Sequence, residues 1–411
     1  MTSVVTRLTA SMALAAAGLA MVPAGAHAVT EVRVVVPRNS AQTGPIFEAA
    51  AAAFEAGHPG IDILIEVVGW ESLYQMLTGE ITAGTPPDLA VIGTRWLPNF
   101  VANGAVEPLE ARATPDVRNL FIPAFLTPSE VDGRLWGLPA AGSARALYYN
   151  RTLFAAAGID RPPATWEALE SDARAVAALD GETYGYGLQG KEIETDVYFY
   201  YAMWSHGVEL IEEDGTSGLD SDAAIAAAEM YRRFIADGLT QPEVTAYNRE
   251  DVQDLFKAGN VGMMITGPWL RDQLAQEAPG LDYAVAAVPS GTQSATYGVT
   301  DTMVMFAGSE AKDAAWQFME YLSQTEFRGQ LAEREGFLPT TIAESAAIAD
   351  DPGLAPFAAM LPHARFTPPI ANWEVIADIT ANALRRIYLG DEPPRDALRR
   401  AAAEIDAILG Q

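Results

Sequence analysis

Catalysis needs a nucleophile, a tuned acid–base pair or a metal, and the side chains that supply them are scarce in this chain. It has no cysteine. That removes thiol catalysis, thiolate metal sites, disulfides and a lipid anchor on an N-terminal cysteine. Of four histidines, His27 lies in the first 28 residues. His58, His206 and His363 are far apart, with no H-E-x-x-H pairing and no metal-ligand spacing. Ser309-Glu310-Ala311-Lys312 matches S-x-x-K but lacks S-D-N and K-T-G companions and sits at a helix start. Gly185 to Gly190, in TYGYGLQG, matches G-x-G-x-x-G. Bulky tyrosines stand between its glycines and it comes mid-chain, so it reads as a strand-to-loop turn. With 54 acidic residues some carboxylate pair is bound to lie close, which is no evidence for glycosidase chemistry. No catalytic residue, metal or cofactor is expected.

Recognition chemistry is better supplied. The chain has eight tryptophans. Trp70, Trp96, Trp204, Trp269 and Trp373 stand near Gly, Pro or Asn or at element ends; Trp136, Trp166 and Trp316 have more core-like surroundings. The clearest case is VGMMITGPWLRD, residues 261–272. An apolar run, Val261 to Ile265, stops at Thr266-Gly267-Pro268, and Trp269 follows at once. One tryptophan at a strand end is usually packing, whereas several at loop edges point to a ligand cleft. Aromatic faces suit sugars, whose C–H faces are apolar while their hydroxyls need polar partners. Ligands of open α/β sheets sit beyond the carboxyl ends of the strands, where Trp269 would form a platform.

The elements that must hold these residues alternate. EVRVVV (31–36), IDILIEV (61–67) and DLAVIG (88–93) read as strands, with helical patterns between them. Such units imply a parallel sheet covered on both faces. ATWEALESDARAVAAL (164–179) has a plausible N-cap in Thr165, and SDAAIAAAEMYRRFIADG (221–238) stops at Gly238. VGMMIT, LDYAVAAV (281–288) and TMVMFA (302–307) are further strands. AKDAAWQFMEYLSQTEF (311–327) is a helix with Ala315, Phe318, Met319 and Leu322 on one face. Two more helices close the chain. Two α/β lobes are expected.

The 411 residues exceed one core, and the net charge of −28 repels phosphate backbones and anionic membranes, so no nucleic acid is expected as partner. Arg7 precedes the apolar run MALAAAGLAMV (12–22), which is followed by Ala26-His27-Ala28. This reads as a secretory signal peptide over residues 1–28, cleaved near Ala28, with Ala24-Gly25-Ala26 as a competing site. An exported, unanchored protein of the periplasm is expected.

With these features assembled, the chain resembles the extracellular solute-binding proteins of bacterial ABC importers, in the branch of maltose, glucose and glycerol-phosphate binders. The resemblance runs over residues 70–109, 133–169, 255–269 (LFKAGNVGMMITGPW), 311–323, EGFLPT (335–340) and 368–390 (PPIANWEVIADITANALRRIYLG). It implies an α/β, two-lobed periplasmic-binding-protein fold with a multi-strand hinge and the ligand cleft between lobes. The chain should cross near 139–143, 295–301 and 336–342. Residues 29–140 plus 299–338 would form the first lobe and 141–298 plus 339–411 the second. The implied partners are a small ligand and a membrane permease, with the protein a monomer.

The resemblance also places ligand contacts. Trp269 and Trp373 fall on aromatic stacking positions. Thr94 and Arg95 fall on a first-lobe loop, and Ser143 and Arg145 on the first hinge crossing. Tyr198 is a second-lobe aromatic. Asn39, Ser40 and Gln42 follow the first strand, and Trp70 and Glu71 open the next helix. Gly267 precedes Trp269, and Asp301 borders the second crossing. Acidic positions of the maltose binders read Arg95 and Ser143 here, and a tryptophan position reads Ile92. With Arg145 and Arg365 near the cleft, the ligand is either a neutral sugar or an anionic polyol such as a sugar phosphate. A secreted glycan-active enzyme is the reading from a different class, disfavoured by the poverty of catalytic motifs.

Overall fold

A computed structural model describes residues 29–179, 181–191, 194–347 and 351–410. The signal peptide expected over residues 1–28 lies outside them. The strands are β1 (Thr30–Pro37), β2 (Ile61–Val68), β3 (Leu89–Gly93), β4 (Glu130–Val131), β5 (Arg134–Leu135), β6 (Gly137–Ala144), β7 (Ala146–Asn150), β8 (Tyr184–Tyr186), β9 (Val261–Thr266), β10 (Tyr283–Ala286), β11 (Thr296–Met305) and β12 (Ala364–Arg365).

The first sheet has the order β12-β11-β3-β1-β2, with β6 also paired to β11. Val32, Val34, Val35 and Val36 of β1 are all fully buried, as a strand covered on both faces requires. β1 runs parallel to β2 and β3, as the strand–helix–strand pattern predicts. β11 runs antiparallel to β3 and β6, so the sheet is mixed. The second sheet, β10-β7-β9-β8, is parallel only between β8 and β9. There the parallel expectation fails. Alternating strands and helices reveal crossover lengths, but a helical connection can return a strand in either direction.

The helices follow their sequence signals closely. Thr43–Gly57 buries Ile46, Phe47, Ala50, Ala51 and Phe54, and Thr165 caps Trp166–Ala177 through its hydroxyl. The helix expected over 311–327 ends at Tyr321; a second helix, Thr325–Glu335, starts after a break. Gly185 owes its identity to packing. A Cβ there would lie 2.1 Å from the Ala173 carbonyl oxygen, so glycine lets β8 rest against the helix Trp166–Ala177.

The apolar side chains form separate cores on the two sides of the molecule. Along β6, Ala141 belongs to one core and Ala144 to the other. Tyr297 and Met303 divide β11 in the same way, as do Phe337 and Leu338 further on. The chain therefore passes between lobes three times. β6 and β11 lie side by side at the crossing, and Gly142 bridges to Leu338. The hinge is thus a set of paired strands, which permits rotation of one lobe against the other while fixing its axis.

Candidate functional site

A cavity of about 880 Å³ opens between the two cores. The carboxyl ends of β1, β2 and β3 all face it, through Arg38 to Ser40, Gly69 to Glu71, and Thr94 to Trp96. The hinge strands contribute Ser143 and Arg145 next to β6, and Tyr297 and Asp301 on β11. The second lobe adds Glu194, Asn248 to Glu250, and Trp269 beyond β9. This matches the rule that α/β sheets bind ligands beyond their strand ends.

The first-lobe wall is built by local bonds. Trp70 Nε1 donates to Asn39 Oδ1 at 2.9 Å, and its ring meets Trp96 edge-on, 5.6 Å between centroids. Thr94 donates its hydroxyl to the Thr300 carbonyl at 2.8 Å, which ties the loop to the hinge. Arg95 reaches across the cleft. Its Nε donates to Glu374 Oε1 at 2.6 Å, and its Nη2 lies 3.8 Å from Asp196 Oδ2. Burial opposes the Arg95 charge, but Asp196 and Glu374 outweigh it and push the pKa up. Burial raises the Asp196 carboxyl to about 6 against the pull of Arg95.

On the opposite wall two arginines share one carboxylate. Arg145 donates to Ser143 Oγ at 2.6 Å and to Glu194 Oε1 at 3.0 Å. Arg249 donates to Glu194 Oε2 at 2.9 Å. Burial alone would raise the Glu194 carboxyl; Arg249 and Arg145 overcome it and hold the pKa low. Both guanidinium carbons sit over the Trp269 indole, at 4.7 and 5.0 Å from its centroid. Glu194 has φ +73°, and Asn372, two residues before Glu374, has φ +64°. Left-handed backbone costs a non-glycine residue about 1–3 kcal/mol. Here it occurs at or near two of the carboxylates that engage the cleft arginines, Glu194 and Glu374.

Asp301 differs from these pairs. It is 7 % exposed, lines the cavity, and its carboxyl has no hydrogen-bond partner among the described residues. Burial pushes its pKa up to about 7, against the pull of Arg145.

Of the residues expected at the site, Asn39, Ser40, Trp70, Glu71, Thr94, Arg95, Ser143, Arg145, Trp269 and Asp301 line the cavity. The others do not. Trp373 is 2 % exposed and belongs to the second core; its neighbour Glu374 is the residue that reaches the cleft arginine. Tyr198 is 1 % exposed, edge-on to Tyr201. It sits in a helix, Thr195–Ser205, that is buried on every face. Gly267 lies behind Trp269, where a Cβ would come within 2.1 Å of the indole. Gln42 caps the helix Thr43–Gly57 and bonds to Arg334. Arg365 points away and pairs with Glu209 at 3.3 Å. Sequence reasoning missed Glu194, Arg249 and Tyr297. Asn248 and Asp251 form a capping box whose spacing signals a helix start, yet nothing in it aims Arg249 at a cavity. Among the described residues no group of His, Asp and Glu could hold a metal ion, and no helix is long and apolar enough to cross a membrane.

A family model described as bacterial extracellular solute-binding protein matches residues 39–327. A protein of Brucella abortus (strain 2308), described only as a binding protein, is 53 % identical over 383 residues, covering 92 % of this chain and 93 % of its own. The maltotriose-binding protein of Pyrococcus abyssi (strain GE5 / Orsay) is 26 % identical over 335 residues, covering 79 % of this chain and 70 % of its own. Among solved structures, an ABC transporter solute-binding protein from Thermotoga lettingae TMO bound with alpha-D-tagatose superposes with a TM-score of 0.86. It is 25 % identical and covers 92 % of this chain and 100 % of its own.

Proposed function

Because the chain belongs to the bacterial extracellular solute-binding protein family, we propose that it captures a neutral sugar in the interlobe cavity and delivers it to the membrane permease of an ABC importer. The observation that carries this reading is Asp301, a buried carboxyl on a hinge strand whose missing partner faces the cavity. A sugar hydroxyl in the cavity would donate to it, and its position on β11 would let the bond report to both lobes.

The charges favour a neutral ligand. Arg95 pairs with Glu374, Arg145 and Arg249 share Glu194, and Glu71 and Glu250 add negative charge to the same walls. An anionic polyol would meet three arginines that already have carboxylate partners; among the described residues Arg38 is the lining arginine without an ion pair. The relatives include, besides the maltotriose binder, a galactooligosaccharide-binding protein and a diacetylchitobiose-binding protein, and also an sn-glycerol-3-phosphate-binding protein. Export to the periplasm follows from the family's extracellular character, and the relatives are binding proteins rather than enzymes.

The test is a calorimetric titration of the protein with maltotriose, galactooligosaccharides, diacetylchitobiose and matching sugar phosphates. The expected outcome is stoichiometric binding of one neutral class, at least tenfold weaker in Asp301→Ala. Preference for a phosphorylated sugar would overturn the neutral reading.

A further inference from the structure

Trp269 stands where an aromatic platform was expected, yet its ring is engaged. Two guanidinium groups lie over it, the Gly267 main chain lies against it, and Phe337 packs at 6.2 Å. Neither arginine is loosely placed. Arg145 is held by Ser143 and Glu194, and Arg249 by Glu194 and Glu250. A sugar ring laid over a guanidinium-covered face of the indole would have to displace a group that is also anchored by a carboxylate. Cation–π contact is worth about 0.5–1 kcal/mol at exposed sites and about 2 when desolvated, so removing the indole would take one restraint from each arginine as well as uncover space.

We infer that Trp269 is a positioning residue: it acts on the ligand through Arg145 and Arg249, cross-tied by Glu194, and not as a surface on which a sugar ring rests. The donors that meet the ligand are then the guanidinium N–H groups. Each guanidinium has five. Arg145 uses two of them in bonds to described residues and Arg249 three, which leaves half of the set for sugar hydroxyls. Asp301 supplies the acceptor beside them. The arrangement selects a ligand by its pattern of hydroxyl oxygens, where a bare aromatic platform would accept any apolar ring face.

This inference rests on the sugar-binding reading, and its test separates the two. The first measurement uses no ligand: the arginine side-chain N–H signals of the full chain are recorded by NMR. Arg145 and Arg249 Hε should be shifted upfield by the indole ring current, and the shift should vanish in Trp269→Leu. Unshifted signals in the wild type would overturn the inference. The second is a double-mutant cycle on the affinity for maltotriose, or for galactooligosaccharide or diacetylchitobiose if one of those binds instead. Trp269→Leu and Arg249→Gln should each weaken binding roughly tenfold, and the double variant should be little worse than either single one, because residues acting as one unit are not additive. A multiplied loss of roughly a hundredfold would show that Trp269 holds the ligand independently. Trp269→Phe keeps a ring and guards against misfolding; it should lose under about threefold. Ring-current shifts present and lost on substitution, with none of the three sugars bound, would sustain the positioning role and sink the sugar reading instead.

Discussion

At the scale of single residues, Asp301 couples binding to pH. Its carboxyl is raised to about 7 by burial, so the folded, ligand-free protein holds a proton that the unfolded chain has released. The stability this confers is complete below the unfolded value near 4 and is lost as pH rises through about 7. Asp301→Asn should therefore stabilise the ligand-free protein by about 4 kcal/mol at pH 8, by only about 1 kcal/mol at pH 5 and not at all below pH 4, read from thermal melts at the three values. Ligand affinity has the opposite sign. Hydroxyls donate to the ionised carboxylate, so wild-type affinity for a neutral sugar should climb between pH 6 and 8, with protons released on binding. A flat profile would mean that Asp301 does not accept from the ligand. Asp301 was legible in the sequence only by its place next to the second crossing. The same reasoning chose Trp373, which the structure buries, and passed over Glu374 beside it. A helix start is visible in sequence, but which of its first residues turns toward the cleft depends on the helix phase, set here by an asparagine in left-handed backbone.

At the scale of elements, the hinge is braced by one buried ion pair. Arg328, on the helix Thr325–Glu335, donates to the carbonyls of Pro139 and Ala140 on β6 and to the Thr340 hydroxyl. Its Nε lies 3.3 Å from Glu344 Oε2, and both side chains are 3 % exposed. One guanidinium thus joins the first and third crossings. Removing one partner of a buried pair costs about 3–5 kcal/mol, because the other charge is left uncompensated. Arg328→Met should lose that much in urea denaturation. A loss under about 1 kcal/mol would mean that the strands alone hold the hinge. None of this was readable in the chain, where Arg328 falls just beyond the helix read over 311–327 and the helix that carries it was not expected. The strands β1 to β3 and the helices between them were readable: β1 and β3 are largely buried and leave continuous apolar runs, and the edge strand β2 keeps an isoleucine-rich run although only Ile63 is buried. β11 was read as starting at Thr302 although it begins at Thr296. Its hinge half is built from Tyr297, Gly298, Thr300 and Asp301, whose polarity suits a cavity wall and hides a strand.

At the scale of the whole molecule, the lobes are joined by more than the hinge. Arg95 sits between Ile92 and Trp96 of one core, while Glu374 and Asp196 sit beside Trp373 and Val197 of the other. Their bonds span the cleft, so any arrangement that keeps the lobes together has a source of stability in the protein itself. A ligand shifts an equilibrium only by its differential affinity for the two states. Whatever the clasp contributes is therefore subtracted from what the ligand must supply, and apparent affinity falls in proportion to the closed fraction when the clasp is lost. Glu374 does not line the cavity, which makes Glu374→Gln a clean probe. Small-angle scattering of the ligand-free variant should show a larger radius of gyration than the wild type, and saturating sugar should bring both to the same value. Affinity should weaken about tenfold, the effect of roughly 1.4 kcal/mol. If the variant's radius matches the wild type without ligand, the clasp does not set the resting state, and closure belongs to the ligand and the braced hinge alone.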